Sequence, residues 1–265
     1  MYAIGLREFM LTKTGLEFVD EAKALGCDAI EPVVKPGGES DAWGGRNGRA
    51  ALRKRAENLG VAIPSICLGC LNAIPLAGPE AALQAHAAEL LRAGIDWASE
   101  LGAGAILVPF FGKAQLRDAD DRARLAEELA RLAPRAEAAG VSLAVESTLP
   151  AARVLEILEA VNSPRVGCYW DTGNAAFRDY DAREEIPALA ARLVMVHLKD
   201  TIPAHGDVHL GEGRVNFPRV AFDLARAGYR HPLILETPRT ADPVASARRN
   251  LAFARGIFNA GSAFA

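Results

Sequence analysis

The sequence predicts an α/β fold, a single closed (β/α)8 TIM barrel, on three observations. Eight short apolar runs are spaced along the chain, amphipathic helical stretches separate them, and no Pro/Ser-rich linker or charge block interrupts the alternation. Near-continuous apolar runs are what a sheet covered on both faces requires. A doubly wound open sheet is the alternative, and it is the weaker one. Its first strand should run into a glycine-rich phosphate loop, whereas the residues here are Arg7-Glu8-Phe9-Met10.

The elements follow in order. Run 3–6 precedes a helical pattern over 16–25, which stops at Gly26. Run 29–34 leads to helix 49–59 and Gly60, and run 61–68 to helix 81–101 and Gly102. Run 105–110 leads to helix 121–139 and Gly140, and run 141–145 to helix 151–161. In that last helix Val154, Leu155, Ile157 and Leu158 recur at helical spacing. Run 166–170 precedes helix 186–190, run 193–198 precedes helix 220–227 and Gly228, and run 233–235 precedes helix 244–258. Glycine just past a helical run suits the left-handed turn that ends a helix.

Composition narrows the function. The chain has 265 residues, half of them hydrophobic and 24% charged, which excludes general disorder. One barrel of about 250 residues accounts for the length, so residues 1–265 are expected to form one domain. A net charge of −3 gives no basis for binding nucleic acid or an anionic membrane. No apolar stretch is long enough to span a bilayer, and the N-terminus lacks the pattern of a signal peptide. Four cysteines are too few for a disulfide framework. A cytoplasmic protein acting on a small molecule is expected, and the apolar-rich segment 251–265 leaves a homo-oligomer open.

In a barrel of this kind the chemistry lies at the C-terminal strand ends. Four successive runs end in a metal-capable side chain: Glu146, Asp171, His197 and Glu236. A carboxylate at the rim of an apolar barrel is costly unless it is paired or coordinated. Three carboxylates and one imidazole suit one divalent cation, Mn²⁺ first, with Mg²⁺, Co²⁺ or Zn²⁺ as alternatives. The plainer reading is a set of strand caps satisfied by backbone and water. Glu146 and Glu236 end the fifth and eighth runs, so they are placed to flank a bound substrate. Two carboxylates on opposite faces of one carbon can remove a proton and return another, while a metal stabilises the enediolate between those steps.

These residues sit in recognisable motifs: Val145-Glu146-Ser147, Trp170-Asp171-Thr172-Gly173-Asn174, His197-Leu198-Lys199-Asp200-Thr201, Gly211-Glu212-Gly213 and Leu235-Glu236-Thr237. The chain resembles the xylose-isomerase-like barrel superfamily of sugar and sugar-phosphate isomerases and epimerases, which also contains the endonuclease IV family. The Asp-x-Gly-Asn and His-x-Lys-Asp-Thr forms look most like its pentulose-phosphate 3-epimerase branch, with ketose 3-epimerases as close relatives. The resemblance implies that Glu146, Asp171, His197 and Glu236 bind the metal and that the two glutamates are the acid/base pair. Many members carry His three residues after the Asp. Asn174 stands there in this chain, suited to a substrate hydroxyl. The nuclease branch places histidines at the ends of strands three and four. Here those ends read Cys67-Leu-Gly-Cys70 and Val108-Pro-Phe-Phe111, although Asp207-Val-His209 does resemble a nuclease metal pair.

Secondary candidates carry two readings each. Lys199 follows His197 by two and faces the same way, either toward a substrate oxygen or phosphate or into an ion pair with Asp200, Glu212 or another rim acid. The long loop 201–216 contains His205, Asp207, His209 and Arg214 beside Gly211 and Gly213, whose backbone N–H groups can approach an anion. His209 and Arg214 are therefore phosphate or hydroxyl candidates, or simply surface residues. Glu31, ending the second run, either contacts substrate or bridges the barrel mouth. Trp43 and Phe111 either wall the sugar site or fill the mouth, and Cys67-x-x-Cys70 reads as buried thiols rather than a redox or zinc pair.

Together these features predict a metal-dependent isomerase or epimerase of a ketose or ketose phosphate, with C3 epimerisation first. An aldose–ketose isomerase and an inosose-type dehydratase share the opening proton abstraction. A DNA-repair nuclease, a Schiff-base lyase using Lys199 and a non-catalytic carbohydrate-binding barrel are the rivals from other classes.

Overall fold

The computed structural model describes residues 1–203 and 206–259. His205 and residues 260–265 of the C-terminal segment lie outside the described residues. The strands are β1 (Ile4–Arg7), β2 (Ala29–Glu31), β3 (Ser65–Cys67), β4 (Ala105–Pro109), β5 (Ser142–Glu146), β6 (Val166–Asp171), β7 (Leu193–Leu198), β8 (Asp200–Ile202), β9 (Gly206–Val208) and β10 (Leu233–Leu235). Eight of them make one parallel sheet in the order β2-β1-β10-β7-β6-β5-β4-β3, and β8 pairs antiparallel with β9.

Hydrogen bonds close the remaining seam, between β2 and β3. Ile30 N–H donates to the Ala62 carbonyl (2.9 Å), Cys67 N–H to Pro32 (2.9 Å) and Val34 N–H to Cys67 (2.8 Å). The regular strands there are shorter than the apolar runs 29–34 and 61–68. Pro32 and Pro64 interrupt those runs because proline has no N–H to donate to a ladder. The result is the expected (β/α)8 TIM barrel.

The helices are α1 (Gly15–Ala24), α2 (Gly45–Leu59), α3 (Ala81–Leu101), α4 (Ala119–Ala139), α5 (Ala151–Val161), α6 (Thr172–Phe177), α7 (Ala182–Leu189), α8 (Phe217–Arg226) and α9 (Pro243–Phe258). Side-chain caps start several of them: Asp118 accepts from Asp121 N–H, Asn216 from Arg219 N–H and Asp242 from Ala245 N–H. Gly102 and Gly140 end α3 and α4 with φ of 74° and 68°, where a Cβ would be strained. Among the described residues, no helix is long and apolar enough to cross a membrane.

Three features depart from the expected pattern. α7 begins at Ala182 rather than at Ile186, because Asp181 caps its N-terminus by accepting from Arg183 N–H (2.9 Å). The six-residue α6 directly follows β6, and β8 and β9 give the loop after β7 a hairpin of its own.

The apolar side chains fall into two layers. Leu6, Ile30, Ile66, Val108, Val145 and Leu235 point outward into the shell between sheet and helices. Ala29, Cys67, Ala105, Leu107, Ala144, Tyr169, Met195 and Ile234 fill the barrel interior. Each Leu or Ile so buried contributes about 1.5–3 kcal/mol, which makes the sheet a rigid platform for whatever its strand ends carry.

Candidate active site

Strand periodicity builds the site. Ala29, Ala144, Tyr169, Met195 and Ile234 face the barrel interior, and the residues two further on are Glu31, Glu146, Asp171, His197 and Glu236. The apolar fill thus gives way, one layer higher, to a ring of acids around one imidazole. Arg7, two residues after Gly5, enters the same layer from β1.

Four of these side chains converge. Glu146, Asp171, His197 and Glu236 each offer a ligand atom, and those atoms all lie within 4.8 Å of one another. His197 Nδ1 is 2.8 Å from Glu236 Oε2, 3.4 Å from Glu146 Oε1 and 3.9 Å from Asp171 Oδ2. Asp171 divides its two oxygens between structure and site. Oδ1 accepts the Asn174 N–H (2.5 Å) and caps α6, while Oδ2 is buried with no hydrogen-bond partner. An orphaned carboxylate oxygen aimed at two other carboxylates and an imidazole nitrogen is costly unless a cation joins them. The donor set therefore fits one divalent metal ion.

The other imidazole nitrogen is fixed from below. Glu31, fully buried, meets His197 Nε2 at 3.0 Å through Oε1, while its Oε2 accepts from Ser65 Oγ (2.6 Å) and Tyr169 Oη (2.7 Å). A carboxylate on one ring nitrogen orients the other toward a metal. Glu31 is therefore held by the protein's own groups beneath His197. The ion-pair alternative describes it, with His197 above and Arg7 Nε at 3.6 Å.

Charge balance explains the protonation preferences. Burial pushes Asp171 up, and Glu236 and Glu146 add to it against Lys199 and His197, leaving it at about 7. Burial also opposes ionisation of Glu236, but Arg7, Lys199 and His197 outweigh it and hold that carboxyl well below its usual range. Burial would lower His197, yet Glu31 and Glu236 hold it well above an ordinary imidazole. Lys199, despite its burial, is raised by Glu236, Asp171 and Asp207 and stays cationic.

Above this floor opens a cavity of about 480 Å³, within the range of small-molecule sites. Glu146, Glu236, Asn174 and Lys199 line it, and Phe9, Phe111 and Phe177 form apolar walls. Trp43 instead packs edge-on against Trp97, away from the cavity. Lys199 Nζ is 3.7 Å from Asp207, an acid that belongs to β9.

The loop expected to receive phosphate is filled from within. Asp200 is buried, and its carboxylate accepts the N–H groups of Thr201 (2.9 Å), Gly211 (2.9 Å), Gly213 (2.8 Å) and Val215 (3.1 Å). A Cβ on Gly213 would collide with that carboxylate, which accounts for the glycine. The anion held by these backbone donors is thus an internal one. Arg214 pairs with Asp179, and His209 Nδ1 lies 3.1 Å from Asn250 Nδ2; neither lines the cavity. Among the described residues, Asp207 and His209 join no metal-capable cluster. The four cysteines are free and buried, and burial pushes the Cys67 and Cys70 thiols up to about 12.

Several cavity residues were not anticipated. Arg7 donates to Glu236 and to Cys67 Sγ (2.9 Å), and its guanidinium lies 5.1 Å over the Phe9 ring. The sequence carries a signal for it, since it follows run 3–6 directly and stands two residues beyond Gly5 on the inward side. Asn72, Gln115, Thr148 and Arg178 also line the cavity but sit on loops or helix ends, where periodicity gives no direction.

Residues 19–257 match the family described as xylose isomerase-like TIM barrel. The L-ribulose-5-phosphate 3-epimerase UlaE of Salmonella paratyphi A is 32% identical over 234 residues, covering 83% of this chain and 81% of its own length. Among solved structures, an L-ribulose 3-epimerase superposes with a TM-score of 0.83 at 22% identity, covering 98% of this chain and 95% of that one. A D-psicose 3-epimerase crystallised in the presence of D-fructose gives a TM-score of 0.81 at 18% identity, covering 97% and 99%. At those identities the two structures speak to the fold alone.

Proposed function

The chain belongs to the xylose isomerase-like TIM barrel family, and on that footing we propose that it is a divalent-metal-dependent epimerase acting at C3 of a ketose or ketose phosphate. The observation that carries this reading is the pair Glu146 and Glu236, which line one cavity on either side of Asp171 and His197. The 3-epimerase name of the 32%-identical relative favours C3 over the neighbouring carbons.

Glu146, Asp171, His197 Nδ1 and Glu236 would hold the cation, Mn²⁺ by preference, and when bound it would supply Lewis-acid polarisation of the substrate oxygens. The chain's own groups do the rest. One glutamate takes the C3 proton and the other delivers a proton to the opposite face. Lys199 Nζ, kept cationic by its acidic neighbours, is suited to stabilising negative charge on a substrate oxygen. The Asn174 side chain is suited to bonding a substrate hydroxyl, while its backbone N–H keeps Asp171 in place. Phe9, Phe111 and Phe177 wall the cavity and limit the access of water to the reacting carbon.

The test is to incubate Mn²⁺-loaded protein with a panel of ketoses, free and 5-phosphorylated, in heavy water, followed by NMR. Deuterium at C3 together with the C3 epimer is the expected result. Exchange at C1 or C2 with an aldose product, or loss of water, would replace C3 epimerisation by one of the related reactions. No exchange with any ketose would reject the reading.

A further inference from the structure

The cations around the cavity differ in what they already hold. Arg7 is bonded to Glu236 and lies 3.6 Å from Glu31. Lys199 faces Asp207 at 3.7 Å, and Arg214 is paired with Asp179 outside the cavity. Arg178 alone among the cavity-lining cations has no carboxylate partner among the described residues. Its guanidinium is nevertheless steadied, with Nη2 donating to Thr148 Oγ1 (3.3 Å) and the group lying 5.4 Å over the Phe177 ring.

We propose that Arg178 is the anion anchor of this cavity and receives the terminal phosphate of a phosphorylated ketose, an inference that rests on the epimerase reading above. Three features of the geometry support it. Glu146 and Glu236 line the cavity and the cations nearest them, Arg7 and Lys199, are already engaged by carboxylates, which leaves Arg178 as the lining cation open to an anionic tail. Thr148 follows Glu146 by two residues, so the backbone separates them by at most about 7 Å. A ketose placed with its reacting carbon at Glu146 therefore brings a 5-phosphate within reach of Arg178. The competing anion site, the N–H groups of Gly211 and Gly213, is already occupied by the Asp200 carboxylate. Guanidinium presents a planar fork of donors that matches phosphate oxygens, and the Thr148 hydroxyl supplies a further donor once phosphate displaces it from Arg178.

The test compares wild type, Arg178→Ala and Arg178→Lys as Mn²⁺-loaded full chains on the same ketose with and without its 5-phosphate. In Arg178→Ala the kcat/KM ratio of phosphorylated to free ketose should fall about 10- to 100-fold, mainly through KM, as expected for losing a charge-assisted hydrogen bond. Arg178→Lys should retain part of the preference. Exchange at C3 with an unchanged ratio in Arg178→Ala would overturn the anchor and leave the epimerase reading standing. If no ketose exchanges a proton, that reading fails, and inorganic phosphate binding measured calorimetrically decides the anchor by itself. A Kd at least tenfold weaker in Arg178→Ala supports it, and an unchanged Kd overturns it.

Discussion

Replacing Glu31 by Gln keeps the shape of the side chain and removes one acceptor and one charge at a fully buried position. In the wild-type geometry Oε2 accepts from two hydroxyls, Ser65 at 2.6 Å and Tyr169 at 2.7 Å, while Oε1 faces His197 Nε2 at 3.0 Å. The new NH₂ group must stand at one of those places. Facing the hydroxyls, it must donate to two oxygens that in wild type donate to Oε2, so both hydroxyls turn and lose their charged acceptor. Facing His197, it drives the ring proton onto Nδ1, the nitrogen turned toward Glu146, Asp171 and Glu236. Either outcome sacrifices hydrogen bonds to a charged acceptor worth about 1.5–3 kcal/mol each. Some of that returns because a buried charge is removed, so the net loss of stability is about 2–4 kcal/mol. Disturbing the partner of a metal-binding histidine typically costs about 10- to 100-fold in metal affinity. Urea denaturation of the metal-free protein and a Co²⁺ titration read the two effects separately. Stability within about 0.5 kcal/mol of wild type, together with unchanged Co²⁺ affinity, would refute the role given to Glu31.

Three other outcomes are expected. Glu146→Gln and Glu236→Gln should each slow C3 hydrogen–deuterium exchange by about 10²- to 10⁴-fold, as read by NMR in heavy water, and exchange preserved in both would exclude the two-base scheme. Asp200→Ala leaves four backbone N–H groups without their acceptor and should destabilise the chain by about 2–4 kcal/mol, discounted for the water that reaches Gly211 and Gly213. Thermal unfolding and proteolysis of loop 201–216 check this, and an unaltered loop would count against it. Metal affinity should strengthen as pH rises from 5.5 to 8, because Asp171, lifted to about 7, and His197, held well above its ordinary value, must both lose a proton to become ligands. Titrations with Mn²⁺ across that range give the sign directly, and flat or falling affinity would contradict it.

The barrel was legible because its strands are apolar blocks and its helices end at glycines, both of which are local signals. The metal-capable quartet was legible for a related reason. Each member stands at the end of a run, on the inward side set by the period-two alternation of Ala144, Tyr169, Met195 and Ile234. The same alternation could have pointed to Arg7, and it placed Glu31 on the correct face without giving its depth. Depth depends on Ser65 and Tyr169, which reach Glu31 from other strands. The loop after β7 misled for a different reason. Its glycines do present N–H groups to an anion, but the anion is Asp200, a pairing that only the folded turn brings about. Arg178, Gln115 and Asn72 reach the cavity from loops and a helix end, where no periodicity marks direction.

Calorimetric titration of the metal-stripped chain with Mn²⁺ tests the central claim most directly. The account predicts one ion per chain, with binding lost when Asp171 and His197 are both replaced by Ala. No binding, or binding indifferent to those two replacements, would contradict it.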